Sequence, residues 1–179
     1  STYRGTSYNS YLIKDKKNVL IDSVKKNYTS EFLRGLKELI DLNNLDAVIA
    51  LHGEPDHSGA LSHVLAEVPD LPLYCSAMGR KTLQGHYHKD WNFQVVKTGD
   101  TLDLGERKLI FIETPMLHWP DTMTAYLEKE KMFFSSDIFG QHIASEFMYD
   151  DMTDISELMW EAMKYYTNII APFASKVKK

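Results

Sequence analysis

A chain of 179 residues with 44% hydrophobic content has the size of one domain with a sizeable core, and nothing in it calls for a second. Twenty Lys and Arg against 25 Asp and Glu leave a formal net charge of −5, with no basic stripe beyond the tail Lys176, Lys178 and Lys179, which argues against a nucleic-acid partner. A single cysteine, Cys75, excludes an internal disulfide and a thiolate-rich metal site; no apolar run approaches the ~18 residues that span a bilayer and no signal peptide opens the chain, so a soluble, cytoplasmic protein without a membrane partner is expected.

In chain order, Ser10 to Ile21 reads as a hairpin, the β-rich runs SYLI and NVLIDS flanking the polar turn KDKKN. Phe32, Leu33, Leu36, Leu39 and Ile40 then recur at helical spacing behind Thr29 and Ser30, either of which can cap the helix. LDAVIAL is a continuous apolar run of the kind buried on both faces of a sheet, and it leads directly into LHGEPDHSG. A helix is expected from Ser58 to Val68, followed by a strand PLYCS that buries Cys75 and a helix through AMGRKTLQGHYH. Strands are expected at FQVV, KLIFIET, MTAYLE and KMFFSSD, with a turn from Glu128 to Lys131 between the last two. The final pattern puts Ile155, Leu158, Met159, Ala162, Met163, Tyr166 and Ile170 on one helical face, expected to pack in the core. The chain opens at Ser1 without a methionine and stops at Lys179 soon after this helix, so both ends read as trimmed. Short strands alternating with helices indicate an α/β layered fold whose strand-end loops carry the chemistry.

LHGEPDHSG holds four potential metal ligands in six positions: His52, Glu54, Asp56 and His57. On an extended strand end, residues 52, 54 and 56 turn to the same side, Pro55 stiffens the turn, and Ser58-Gly59 opens a helix whose amino end favours negative charge. A polar loop with self-satisfied histidines explains so dense a set poorly. Two further candidates lie at strand ends: His118 in IETPMLHWPDTM, pinned by Pro115 and Pro120, and Asp137 in MFFSSDIFGQH. Singly, each is as readily a capped loop histidine or a turn former. Together with the first cluster they make three imidazoles and three carboxylates, a ligand set for more than one metal. That mixture suits non-haem iron or manganese better than structural zinc.

These segments resemble a known family. HGEPDHSG, PMLHWPDTM and SSDIFGQH, in that order, with GTSYNSYLI, VLIDSV and MKYYTNII, are similar over nearly the whole chain to the metallo-β-lactamase-like domain of the flavodiiron proteins, the A-type flavoproteins. The resemblance implies an αββα sandwich of the metallo-β-lactamase type over residues 1–179. It also implies two iron ions joined by an oxo or hydroxo bridge: His52, Glu54 and His118 on one iron, Asp56 and His57 on the other, Asp137 between them. Glu54 stands where zinc hydrolases of the superfamily carry a histidine. Family members reduce O2 to water or NO to N2O, using electrons from FMN in an appended flavodoxin-like domain, within a head-to-tail homodimer.

The chain departs from the pattern in two respects. The family's seventh ligand, a histidine beyond the long helix, has no counterpart before Lys179, and no flavodoxin-like domain is present, so no FMN is expected in this chain. The leading expectation is therefore an oxidoreductase core that binds and reduces O2 or NO with an external electron donor, as a homodimer. The alternative is a stand-alone oxygen-binding sensor with a signalling partner; a zinc hydrolase ranks third. Behind the ligands, His142, Trp119 and Tyr3 are candidate supporting groups, His142 by orienting Asp137, and Phe139 and Tyr149 are further candidates to line an oxygen pocket. His63 is expected to pack partly buried, and His86 and His88 to sit at a helix end.

Overall fold

In the computed structural model, which describes residues 2–178, the opening hairpin forms where the sequence predicts it. Strands β1 (Tyr11–Ile13) and β2 (Val19–Ile21) pair antiparallel, with Leu12 opposite Leu20. From β2 the sheet continues in parallel through β3 (Ala47–Ile49), β4 (Leu73–Cys75) and β5 (Phe93–Val95). Helices make the crossovers: α1 (Thr29–Leu39) before β3, α2 (Pro55–Ser58) and α3 (Leu61–Glu67) before β4, and α4 (Ala77–Tyr87) before β5. A second sheet is an antiparallel meander of β6 (Thr101–Asp103), β7 (Lys108–Glu113), β8 (Met123–Leu127) and β9 (Met132–Phe134).

The period of two along a strand explains how one sheet serves two cores. Leu20 and Val48 turn to the helices, where Leu36, Leu61, Val64 and Leu83 meet them. Val19, Ile21, Ala47 and Ile49 turn the other way, against Leu109, Phe111, Met123 and Leu127 of the second sheet. Burying a side chain the size of Phe111 stabilises the fold by roughly 1.5–3 kcal/mol, so both the inter-sheet and the helix-facing layers hold the domain together. Cys75 closes β4 fully buried, as expected, and burial pushes its thiol up to about 12, which leaves it unreactive.

Several elements depart from the sequence reading. Thr29 and Ser30 lie inside α1, and Thr29 Oγ1 donates back to the Lys26 carbonyl at 2.7 Å instead of capping. The helix expected from Ser58 to Val68 is broken after Ser58, because the Ala60 amide donates to the Val24 carbonyl at 2.9 Å. At Gly59 a Cβ would lie 2.5 Å from Lys26 N and from the Pro55 carbonyl oxygen, so the backbones meet only because the residue is glycine. Strand β6 was not expected, being three residues long at the sheet edge.

The last helix, α5 (Ile155–Tyr165), is capped by Asp154, which accepts from the Ser156 and Glu157 amides, and continues into a wider turn over Tyr166–Ile170. The expected stripe divides: Ile155, Met159 and Met163 are each more than half exposed, whereas Tyr166 and Ile170 at its end pack against a buried cluster. The buried side carries Glu161, Tyr165 and Ile170, the last two packed against Leu117 and Ile138. On that side the fully buried Glu161 carboxylate lies between Arg4 (Nε to Oε1, 3.4 Å) and Lys164. Among the described residues no helix is long and apolar enough to cross a membrane. Lys179, the end of the expected basic tail, lies outside the described residues, as does Ser1.

Candidate metal centre

Four connections converge at one end of the sandwich. The loop after β3 carries His52 and Glu54, and its chain turns at Pro55 into α2 with Asp56 and His57. The β7–β8 connection brings His118, and the turn after β9 brings Asp137 behind Ser136, whose φ is 50°. One potential ligand atom from each of His52, Glu54, His118 and Asp137 can be chosen so that all four lie within 4.8 Å of one another.

Asp137 is shared. Its Oδ1 lies 2.9 Å from His57 Nε2, and its Oδ2 lies 3.1 Å from His118 Nε2 and 4.0 Å from His52 Nε2. Glu54 Oε2 is 3.2 Å from His52 Nε2 and 3.9 Å from His118 Nε2. Asp56 stands apart from these contacts: its Oδ1 is buried without a hydrogen-bond partner, and burial raises its pKa above the usual carboxylate range. All but His52 of these six side chains border a cavity of about 390 Å³.

The outer nitrogens of two imidazoles are held by carboxylates that sequence reasoning missed. His52 Nδ1 faces Asp121 Oδ1 at 3.1 Å, and Asp121 Oδ2 accepts the Gly53 amide at 2.8 Å. His57 Nδ1 faces Asp22 Oδ2 at 3.0 Å, and Asp22 Oδ1 accepts the Leu51 amide at 2.7 Å. Each carboxylate thus holds a ring with one oxygen and a backbone amide of the 51–53 segment with the other, leaving Nε2 turned inward. Tyr165 was also missed. Its hydroxyl is buried without a partner, and burial, reinforced by Asp137, Glu54 and Asp56, holds the phenol protonated far above its ordinary range. The available signals were slight: an aspartate ending VLID, another three residues after His118, and a tyrosine in a helix.

The supporting candidates divide. Trp119 packs edge-on to the His52 ring at 5.0 Å between centroids. Tyr3 is 70% exposed, lies over Arg4 and Lys164, and does not border the cavity; Tyr149 is likewise exposed and outside it. Phe139 and His142 do border it. His142 makes no hydrogen bond to Asp137; its ring stands edge-on to Tyr165 at 5.2 Å. His63 is exposed rather than packed, with Ser62 beside it at 3.3 Å, and His86 and His88 are exposed at the carboxyl end of α4.

The electrostatics test whether the cluster suits cations. Five carboxylates (Asp22, Glu54, Asp56, Asp121, Asp137) surround three imidazoles (His52, His57, His118). Burial alone would lower the pKa of His52 and His57, yet Asp121 and Glu54 push His52 up to about 9, and Asp137 and Asp22 push His57 up to about 11. Asp137 is buried, which favours its neutral form, but His118 and His57 hold it far below the carboxylate range. Protons on the rings therefore stand in for positive charge that the carboxylates demand. The partnerless Asp56 oxygen marks where they supply none. Imidazole and carboxylate donors without thiolates match the preferences of iron or manganese.

Comparison with known proteins gives this cluster a lineage. The profile of the ODP family beta lactamase matches residues 6–177. The chain belongs to this family. It is the metallo-β-lactamase-like diiron domain of the flavodiiron proteins. The chain is 50% identical over 178 residues to the anaerobic nitric oxide reductase flavorubredoxin of Salmonella typhi, covering 98% of this chain and 37% of that protein. The rubredoxin oxygen:oxidoreductase structure from the anaerobe Desulfovibrio gigas superimposes with a TM-score of 0.93 at 41% identity, over 98% of this chain and 44% of that one. The flavodiiron protein of Giardia intestinalis gives a TM-score of 0.93 at 32% identity, over 99% of this chain and 44% of that one. The expected metallo-β-lactamase-type α/β fold is thus borne out, and this diiron domain spans about two fifths of the length of the relatives it matches.

Proposed function

We propose that the chain holds two iron ions and serves as the core of an oxidoreductase that binds O2 or NO and reduces it with electrons from an external donor. The observation that carries the reading is the division of the Asp137 carboxylate, one oxygen toward His57 and the other toward His118 and His52. A side chain so disposed suits a bridge between two cations. His52, Glu54 and His118 would hold one iron, and Asp56 and His57 the other. The iron pair, when bound, supplies the redox electrons and open coordination positions that a diatomic gas requires.

The chain's own residues do the rest. Asp121 and Asp22 fix the rotation of His52 and His57, so that their inner nitrogens are lone-pair donors once the protons leave. Tyr165 offers its hydroxyl as a hydrogen-bond donor toward the cavity, where a partnerless buried O–H gains most from an acceptor. Glu54 adds a hard anionic oxygen, which disfavours a zinc hydrolase. Anaerobic loading with Fe(II), followed by O2 or NO uptake with a chemical reductant, tests the proposal: sustained consumption at two irons per chain is expected. A fully loaded chain that holds O2 without turnover would replace it with the sensor reading, and zinc occupancy with esterase activity would replace it with the hydrolase.

A further inference from the structure

Reduction of O2 to two waters consumes four protons with four electrons, and reduction of two NO to N2O and water consumes two of each. Resting on the proposed function, this demand raises the question of how protons enter a cavity whose innermost groups are committed. The imidazoles nearest its floor face carboxylates, and the Tyr165 hydroxyl is buried. We propose that His142 is the proton-carrying residue of this cavity, taking protons from solvent at its partly exposed edge and passing them inward toward the Tyr165 hydroxyl.

Three observations place it there. His142 borders the same cavity as Glu54, Asp56, His57, His118 and Asp137, yet stands in the loop after the bridging carboxylate, five positions on, and makes no hydrogen bond of its own among the described residues. A ring with free nitrogens can alternate between solvent and cavity; one locked by a carboxylate, as His52 and His57 are, cannot. Its ring is set edge-on to Tyr165, 5.2 Å between centroids at an interplanar angle of 72°, beside a phenol whose oxygen lacks a protein partner. The cavity lining also includes Thr6, Ser7, Asn9, Ser135, Ser136 and Gln141, whose hydroxyls and amides are able to hold water. Facing His142 are Tyr165 from α5 and, across the cavity, the carboxylates and imidazoles of the centre with Tyr8, Tyr11 and Asp22. Among the described residues no lysine or arginine borders the cavity, and His142 is the bordering imidazole that no carboxylate partner fixes. In each transfer a proton from solvent joins one ring nitrogen, and the proton on the other leaves to a cavity water, so the ring returns to its neutral form with no electron moved.

His142→Ala and His142→Gln test this with two readouts. In the iron-loaded chain, both substitutions are expected to retain two irons and to slow gas consumption by about a hundredfold, the lower end of the range for loss of a proton-transferring side chain. Added imidazole is expected to restore the rate of His142→Ala. Unchanged turnover, or a loss that imidazole does not repair, overturns the inference. Independently of turnover, the Tyr165 Cζ resonance of the zinc-loaded chain in equal H2O and D2O reports hydroxyl exchange. A single line in the wild type that splits in His142→Ala supports the relay, and the same pattern in both overturns it. If the iron-loaded wild type consumes neither gas, the proposed function fails, while the Cζ measurement still decides the path.

Discussion

Replacing Asp121 by alanine removes, in one step, the partner of His52 Nδ1 at 3.1 Å and the acceptor of the Gly53 amide at 2.8 Å. Both donors are buried: His52 is 1% exposed and Gly53 is likewise buried. Each donor left unsatisfied costs about 1–3 kcal/mol, so the metal-free chain should lose roughly 2–6 kcal/mol, a large share of the ~5–15 kcal/mol that a domain holds in total. Asp121→Asn retains one acceptor oxygen and should lose only about half as much. The same change frees the His52 ring, and loss of such an orienting partner typically weakens metal binding by about 10–100-fold, or ~1.4–2.7 kcal/mol. Urea unfolding of the metal-free variants at pH 7, with Co(II) or Fe(II) titrations alongside, measures both terms. An alanine variant within ~0.5 kcal/mol of the wild type and within twofold in metal affinity would refute the assignment of Asp121 as the anchor of His52.

His52→Ala and Asp137→Ala are expected to lose iron on elemental analysis, whereas His63→Ala, at an exposed position away from the cluster, should retain it; full iron in Asp137→Ala would remove the bridge. Metal binding at pH 7 should release about two protons, since His52 and His57 carry raised pKa values near 9 and 11 in the metal-free cluster, and affinity should rise with pH; calorimetry in buffers of different ionisation enthalpy counts them. Because those two pKa values lie above the unfolded value of ~6.5, their contribution to metal-free stability is complete below that pH and fades as pH rises through about 9 and then 11; urea midpoints between pH 6 and pH 11 should fall accordingly.

The ligand cluster was legible because its chemistry is concentrated: four donors in six residues at the end of an apolar strand require no knowledge of the fold. His118 and Asp137 were legible only as companions to it. Asp22 and Asp121 were not, since a single aspartate at a strand end carries no periodic signature, and the contacts that define its role span 35 and 69 positions. The same limit governs α5. Helical spacing identified an apolar stripe, but a stripe does not state what it faces, and the side turned inward carries Glu161, buried between Arg4 and Lys164. The break after Ser58 depends on a backbone bond from Ala60 to Val24, again a long-range partner that no local pattern announces.

The Asp137 contacts join residues that follow β3 of one sheet to residues around β7 and β9 of the other, and His57 and Asp137 are 80 positions apart. A cation held across that gap ties two remote points of the chain as a covalent cross-link would. Because that tie, unlike a disulfide, is released on unfolding, it would stabilise the domain by the free energy of metal binding to the folded form, which grows with free metal concentration. Removal of a bound metal is therefore expected to loosen the end of the sandwich that carries these connections, while the inter-sheet apolar layer holds the rest of the domain together. Protease cleavage of the metal-free chain is then expected to concentrate in the 114–122 and 135–142 connections, and to be slowed there by added metal.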